Sequence, residues 1–295
     1  MPAPDSEVDI TADLVARLVG EQHPELAGAV RFAGHGWDCD LFRLGDERAV
    51  RLPRRHEGEL PVRNEQRWLA QLSALVPVAT PVPIAVGMPA AGYPWAWSII
   101  PWFDGVPADA VGQVSRDLCA GGLGEAVAAL HVAAPDDAPI NPYRGVPLRD
   151  RDARVRQRIA ELGATADGAL EVWDAALAAR PHAGRSWTHG DLHPANVLLR
   201  DDGSDGRIAA LIDFGDLSGG DPAVDLAAGW LFFSSVGRSR FREAVDRARD
   251  YDADDWLRAR GWAISISLGL LTDSDGSSRM TALGRAGLAA AILPD

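Results

Sequence analysis

The sequence predicts an α+β fold of two lobes, a small antiparallel sheet in front and a larger, mainly helical part behind, with a cleft between them. Three observations carry this expectation. Residues 30–52 are short apolar runs broken by glycine-rich turns, the pattern of antiparallel hairpins. From Asp104-Gly105 onward, apolar residues recur at helical spacing in segment after segment. One compact strand–loop–strand region, residues 186–213, interrupts those helices. The boundary falls at about 100–105, which divides the chain into a front lobe of residues 1–103 and a back lobe of residues 104–295.

The first element is a helix, with Thr11 able to cap it and Ile10, Leu14, Val15, Leu18 and Val19 sharing one face. A strand from Val30 leads into Gly34-His-Gly36, a second covers 40–44, and the turn Gly45-Asp46-Glu47 returns the chain into a third over 48–52. After Pro61 a helical pattern runs through Glu65, Trp68, Leu69, Leu72 and Leu75. Two further strands are expected at 84–87 and 95–101. In the back lobe, helices are expected at 115–133, 150–162, 168–180, 222–234, 239–250, 254–272 and 278–292. The turn Asp201-Asp-Gly-Ser-Asp-Gly206 marks a hairpin between them.

Bulk composition narrows the function classes. A chain of 295 residues with 47% hydrophobic and 24% charged content is an ordinary globular protein of one large or two intimate domains. Its net charge of −13 repels DNA and anionic membranes at long range, so neither is expected as a partner. Cys39 and Cys119 form no ligand spacing and no disulfide framework, which suits a reducing cytoplasm. No signal peptide is visible in residues 1–9, no run is long enough to span a membrane, and no obligatory protein partner is evident.

The chemistry concentrates in His189-Gly-Asp191-Leu-His-Pro-Ala-Asn196, followed by Ile212-Asp213-Phe214-Gly215. Phosphoryl transfer needs a carboxylate to orient the attacking hydroxyl, hard oxygen ligands for Mg²⁺ and positive charge on the phosphates. Asp191 suits the first role, and Asn196 and Asp213 suit the second. The His-x-Asp-x₄-Asn spacing followed by Asp-Phe-Gly is specific, whereas Asp-Phe-Gly alone is not. A zinc cluster of His189, Asp191 and His193 is an alternative that lacks a third histidine at a suitable distance. His189 reads as an interior residue that shapes the loop, and His193 either lies near substrate or braces the loop.

Trp187–Leu199, then Leu211–Asp216, then Gly220–Leu226 resemble the aminoglycoside phosphotransferase family. The resemblance implies the bilobal fold of protein kinases, Asp191 as the catalytic carboxylate, and Asn196 and Asp213 as Mg²⁺ ligands. Asp225 would hold the backbone of the catalytic loop from below. In the front lobe the family pairs a basic strand residue, usually lysine, with a helix glutamate against the nucleotide phosphates. Here those positions are Arg51 and Glu65, and Leu52-Pro-Arg-Arg55 is similar to the macrolide-phosphorylating branch. Arginine keeps its charge and grips phosphate with two donors. Trp97–Gly105 resembles the hinge that binds the nucleotide base, with the Pro101 carbonyl and the Phe103 N–H as its contacts. Gly34-His-Gly36 would be a flexible turn over the phosphates, and His131 a structural residue.

The resemblance thus implies a Mg²⁺-dependent kinase that uses ATP or GTP and phosphorylates a small-molecule hydroxyl, with an aminoglycoside-type antibiotic as the family default. A macrolide or metabolite alcohol is the alternative acceptor, and a catalytically weak nucleotide-binding regulator the alternative role. Residues 239–275 are rich in acid (Glu243, Asp246, Asp250, Asp252, Asp254, Asp255, Asp273, Asp275), as a cationic acceptor would need. Interleaved arginines read instead as a salt-bridged helix face. Trp230, Phe232, Phe233, Trp256 and Trp262 are expected mostly in the core.

Overall fold

The structure, a computed structural model, describes residues 5–273 and 277–293; Asp275 of the acidic stretch lies outside them. Helix α1 (Ala12–Gln22) starts where the sequence places it, with Thr11 Oγ1 accepting the Leu14 N–H at 3.2 Å. Strands β1 (Val30–His35), β2 (Cys39–Leu44), β3 (Arg48–Pro53), β4 (Ala85–Gly87) and β5 (Trp97–Pro101) form an antiparallel sheet in the order β1-β2-β3-β5-β4. Leu14, Val15, Leu18 and Val19 of α1 pack on it with Phe42, Leu44, Val50, Leu52, Trp97 and Ile99, a closed apolar cluster. Helix α2 (Glu59–Ser73) starts two residues before Pro61, because proline is tolerated in a first turn where its missing N–H has no helical partner. Its buried Trp68, Leu69 and Leu72 join the larger core that the helices of the second half build, so α2 ties the sheet to them.

That second half holds α3 (Gln113–Leu118), α4 (Ala120–Leu130), α5 (Asp152–Leu162), α6 (Ala169–Ala178), α7 (Ala223–Leu226), α8 (Ala228–Phe232), α9 (Ser235–Ala248), α10 (Ala253–Thr272) and α11 (Ser278–Ile292). The single helix expected over 115–133 is broken at Cys119, just ahead of Gly121 and Gly122. The one expected over 222–234 is broken at Ala227 into two short pieces. Helix α9 begins four residues early because Ser234 caps it, its hydroxyl accepting the Gly237 N–H. Helix α10 opens on a reciprocal cap: Asp252 Oδ1 accepts the Asp255 N–H at 3.1 Å, and Asp255 Oδ2 accepts the Asp252 N–H at 2.9 Å. Its Trp262, with Trp173 of α6, is fully buried at the centre of the helical core, and Trp230, Phe232, Phe233 and Trp256 are buried there too.

Between the helices lie five short strands. β8 (Val197–Leu199) and β9 (Ile208–Leu211) form the expected hairpin, and β6 (Val106–Pro107) adds to the free side of β8. β7 (Ser186–Thr188) pairs not with β8 but with β10 (Ser218–Gly220), Thr188 opposite Ser218. Residues 189–196 therefore cross from one small sheet to another, which holds both ends of that loop. No helix among the described residues is long and apolar enough to cross a membrane.

Candidate active site

Asp225, in the first turn of α7 and fully buried, holds the loop 189–196 from beneath. Its carboxylate accepts the His189 N–H at 2.7 Å and the Gly190 N–H at 2.9 Å, and His131 Nε2 lies 3.2 Å from it. Charge-assisted bonds to two consecutive amides fix the loop's entry. Gly190 has φ +85°, and a Cβ there would stand 2.5 Å from the Asp216 carbonyl oxygen, so only glycine fits. Replacing Asp225 by Ala strands both buried amides, and the expected loss is about 2–4 kcal/mol of stability. Urea denaturation measures it; an unchanged midpoint would contradict the assignment.

His189 is buried, with Nε2 3.0 Å from the Ile212 carbonyl and Nδ1 3.3 Å from the Asp191 N–H, and its ring packs 4.5 Å from that of Phe214. Both ring nitrogens are engaged, so it braces the loop as expected. Among the described residues no group of three or more His, Cys, Asp or Glu is placed to hold a metal ion.

The loop delivers Asp191, His193 and Asn196 to one place. Asn196 Nδ2 donates to the Asp191 carbonyl at 2.9 Å and reaches its Oδ2 at 3.3 Å. His193 Nε2 is 3.3 Å from Asp191 Oδ2, and Arg144 Nη2 is 3.4 Å from Oδ1. Burial alone would raise the Asp191 carboxyl; His193 and then Arg144 outweigh it and hold the group well below the usual carboxylate range. Burial would likewise lower His193, yet Asp191 raises it. Asp191 is thus an ionised carboxylate with three polar neighbours, Asn196, His193 and Arg144.

Arg51 joins the remaining predicted residues. It projects from β3, where it faces Ser98 of β5. One arm donates to Glu65 Oε1 at 2.8 Å, the other to Asp213 Oδ1 at 3.1 Å. Glu65 is buried, and burial pushes its carboxyl up to about 7 while Arg51 opposes the shift. Burial also works against the Arg51 charge, but Glu65 and its other neighbours raise that group well above its usual value, so it stays a cation. Asp213 sits two residues past β9 at φ +61°, unusual for a residue with a side chain, and 52% of its side chain is exposed. Strained backbone of this kind persists where neighbours hold it, and it turns the carboxylate outward.

Pro101 and Phe103 belong to neither cluster. Pro101 ends β5 opposite Arg48, three register steps from Arg51. Trp102 donates its N–H to the Glu47 carbonyl at 2.8 Å, and its ring stacks 4.2 Å from the Arg43 guanidinium. Phe103 follows, half-buried, on the way to β6. Gly34 and His35 end β1, and the turn to β2 starts at Gly36. Its Gly36 N–H donates to the Cys39 carbonyl at 2.8 Å, and Arg55 Nη2 holds neighbouring Asp38 at 2.6 Å.

Three residues of the site carried no role in the sequence reading: Arg144, Asn141 and Asp216. Asn141 Nδ2 donates to Asp216 Oδ1 at 2.7 Å, and Arg144 Nε lies 3.7 Å from Asp216 Oδ2. Burial, then Asp191, pushes the Asp216 carboxyl up to about 6. Asp216 had a signal, since it directly follows Asp213-Phe-Gly215. Arg144 and Asn141 sit in a loop with no local pattern.

Comparison with known proteins bears on the family and the fold. No curated protein sequence matches the chain. Among solved structures, aminoglycoside 2'-phosphotransferase-IIIa in its GDP complex superposes with a TM-score of 0.71 at 16% identity, over 95% of this chain and 99% of that one. The macrolide 2'-phosphotransferase MphH from Brachybacterium faecium, an apoenzyme, gives 0.64 at 25% identity over 93% and 97%. A type I macrolide 2'-phosphotransferase gives 0.64 at 21% over 95% and 98%. Residues 29–262 match the phosphotransferase enzyme family, APH, and the chain belongs to that family.

Proposed function

We propose that this chain transfers the γ-phosphoryl group of ATP or GTP to a hydroxyl of a small molecule in a Mg²⁺-dependent reaction. The observation that carries the reading is the double contact of Arg51, to buried Glu65 and to half-exposed Asp213. It sets a fixed cation beside an outward carboxylate, as a charged phosphate chain and its metal require. The donor chemistry fits Mg²⁺, which takes one or two side-chain oxygens and completes its shell with phosphates and water. Asn196 spends its amide hydrogens on Asp191, leaving Oδ1 as its ligand atom; the Asp213 carboxylate is the other. Held by those two residues, Mg²⁺ would supply charge neutralisation on the phosphate oxygens. Asp191 orients the acceptor hydroxyl and takes its proton, and His193 supports its charge. The Pro101 carbonyl and Phe103 N–H hold the base at the end of β5, between lobes 1–103 and 104–295. Acceptors named for solved relatives include kanamycin, gentamicin and macrolides. For this chain the reading extends to a hydroxyl-bearing small molecule, with such antibiotics within the class and the cytoplasm as the site of action.

Isothermal titration with ATP and GTP, each with Mg²⁺, tests the nucleotide site. One of them is expected to bind, with turnover lost on EDTA and restored by added Mg²⁺. Absence of binding by both would refute the reading.

A further inference from the structure

A row of arginines leads away from Asp191. Arg144, 3.4 Å from its carboxylate, sits on a locked loop. Asn141 Oδ1 accepts the Tyr143 N–H at 2.8 Å and the Arg144 N–H at 3.1 Å, and Asn141 Nδ2 holds Asp216. One residue on, the Gly145 carbonyl accepts the Asp221 N–H at 2.7 Å, and a Cβ on Gly220 would stand 2.5 Å from that carbonyl. Arg144 is therefore presented to Asp191 by a backbone fixed at both ends.

Arg151, Arg154 and Arg158 follow at i, i+3 and i+7, spacing that aligns them on one face of α5 and the turn before it. Arg154 and Arg158 share one acid, Asp273. Arg151 is half-buried, and its guanidinium lies 5.7 Å from the ring of Tyr143, the neighbour of Arg144. No carboxylate pairs with it among the described residues, and its buried Nε has no hydrogen-bond partner. Arg144 already meets two carboxylates, Asp191 and Asp216, which leaves Arg151 as the guanidinium here with no acid partner among the described residues. A partly buried, unpaired guanidinium is costly, and a planar oxyanion relieves it with two parallel hydrogen bonds.

We propose that the acceptor is an anionic alcohol, a small hydroxyl compound whose carboxylate or phosphate is gripped by Arg151 and Arg144 while its hydroxyl faces Asp191. The inference rests on the reading of Asp191 as the carboxylate of the phosphoryl-transfer site. The hydroxyl proton passes to Asp191, the acceptor oxygen bonds to the γ-phosphorus, and the bond to the bridging oxygen breaks to release the nucleoside diphosphate. An ammonium group seated against Arg151 would meet a like charge.

The test is nucleotide consumption by the full chain with Mg²⁺ and acceptors of three charges. D-glycerate and glucose 6-phosphate serve as anions, glycerol and glucose as neutral alcohols, kanamycin and a macrolide as cations. Anions are expected to lead in kcat/KM by at least about tenfold, equivalent to one full charge contact of about 1.4 kcal/mol. Arg151→Gln should raise the anion KM by about tenfold and Arg151→Lys should recover part of it. Arg156→Gln, on an exposed arginine paired with Asp152 and Asp174, should not move it. A neutral or cationic acceptor that outperforms every anion overturns the proposal. So does the absence of turnover with any anion, or an anion KM that Arg151→Gln leaves in place. Asp191→Asn separates the two layers. If that variant matches wild type, the reading of Asp191 as the base falls; if it is inactive while cations are preferred, only the charge inference falls.

Discussion

Asp191→Asn is expected to lower kcat by about 10²–10⁴-fold, the range a positioned general base supplies. The side chain keeps its shape, and its backbone carbonyl still accepts from Asn196, so the loop stays in place. What disappears is the acceptor for the hydroxyl proton and the charge that His193 and Arg144 surround. The nucleotide dissociation constant should move by less than about threefold, because only an interaction made in the transition state is removed. Steady-state rates together with calorimetric nucleotide titration check both halves. Turnover within a factor of about three of wild type would end the assignment of Asp191 as the base.

Arg51→Met is expected to be the most destabilising substitution in the front sheet, by about 3–5 kcal/mol, because it leaves the Glu65 charge buried without its cation. The sign of its pH dependence follows from Glu65. Burial raises that carboxyl to about 7, above the ordinary glutamate value, and without Arg51 nothing opposes the rise. A raised carboxyl favours the folded state when protonated, so the penalty is small below the unfolded value near pH 4 and grows as pH rises through the folded one. The variant should therefore lose less stability at pH 5 than at pH 8, read from denaturant midpoints. A pH-independent loss would show that the pair is not what Arg51 contributes. Arg51→Lys restores a charge but not the fork: one ammonium cannot reach Glu65 and Asp213 in the same two-armed geometry. It should keep most of the stability while weakening nucleotide binding by roughly tenfold.

The parts of this site that were legible in the sequence are those written locally. Thr11 beside a 3.6-residue apolar stripe specifies α1 and its cap. Asp191 and Asn196, five residues apart, share one loop, and their contact is a local one. Asp213 was legible from Phe214 and Gly215 beside it. The helix breaks at Cys119 and Ala227 were not legible. Apolar periodicity continues through both, and the packing of α4 against α9 and of α8 under α10 ends the short helices instead. The exchange of partners by β7 was equally hidden, since three residues carry no register of their own.

The sequence by itself determined the order of the candidate site residues, an acid, an amide and a second acid, with the α+β division that frames them. Tertiary structure alone decided what surrounds those residues. Arg51 reaches Asp213 across 162 positions, and Asn141 reaches Asp216 across 75. Arg144 arrives at Asp191 from a loop 47 residues earlier, bringing Arg151 and its neighbours with it. The physical reason is range. Caps, turns and helical stripes are interactions between residues a few positions apart, so the sequence displays them. The charge facing an acceptor is a sum over side chains that only a folded backbone brings together: Arg144 with Asp191 and Asp216, and Arg51 with Asp213.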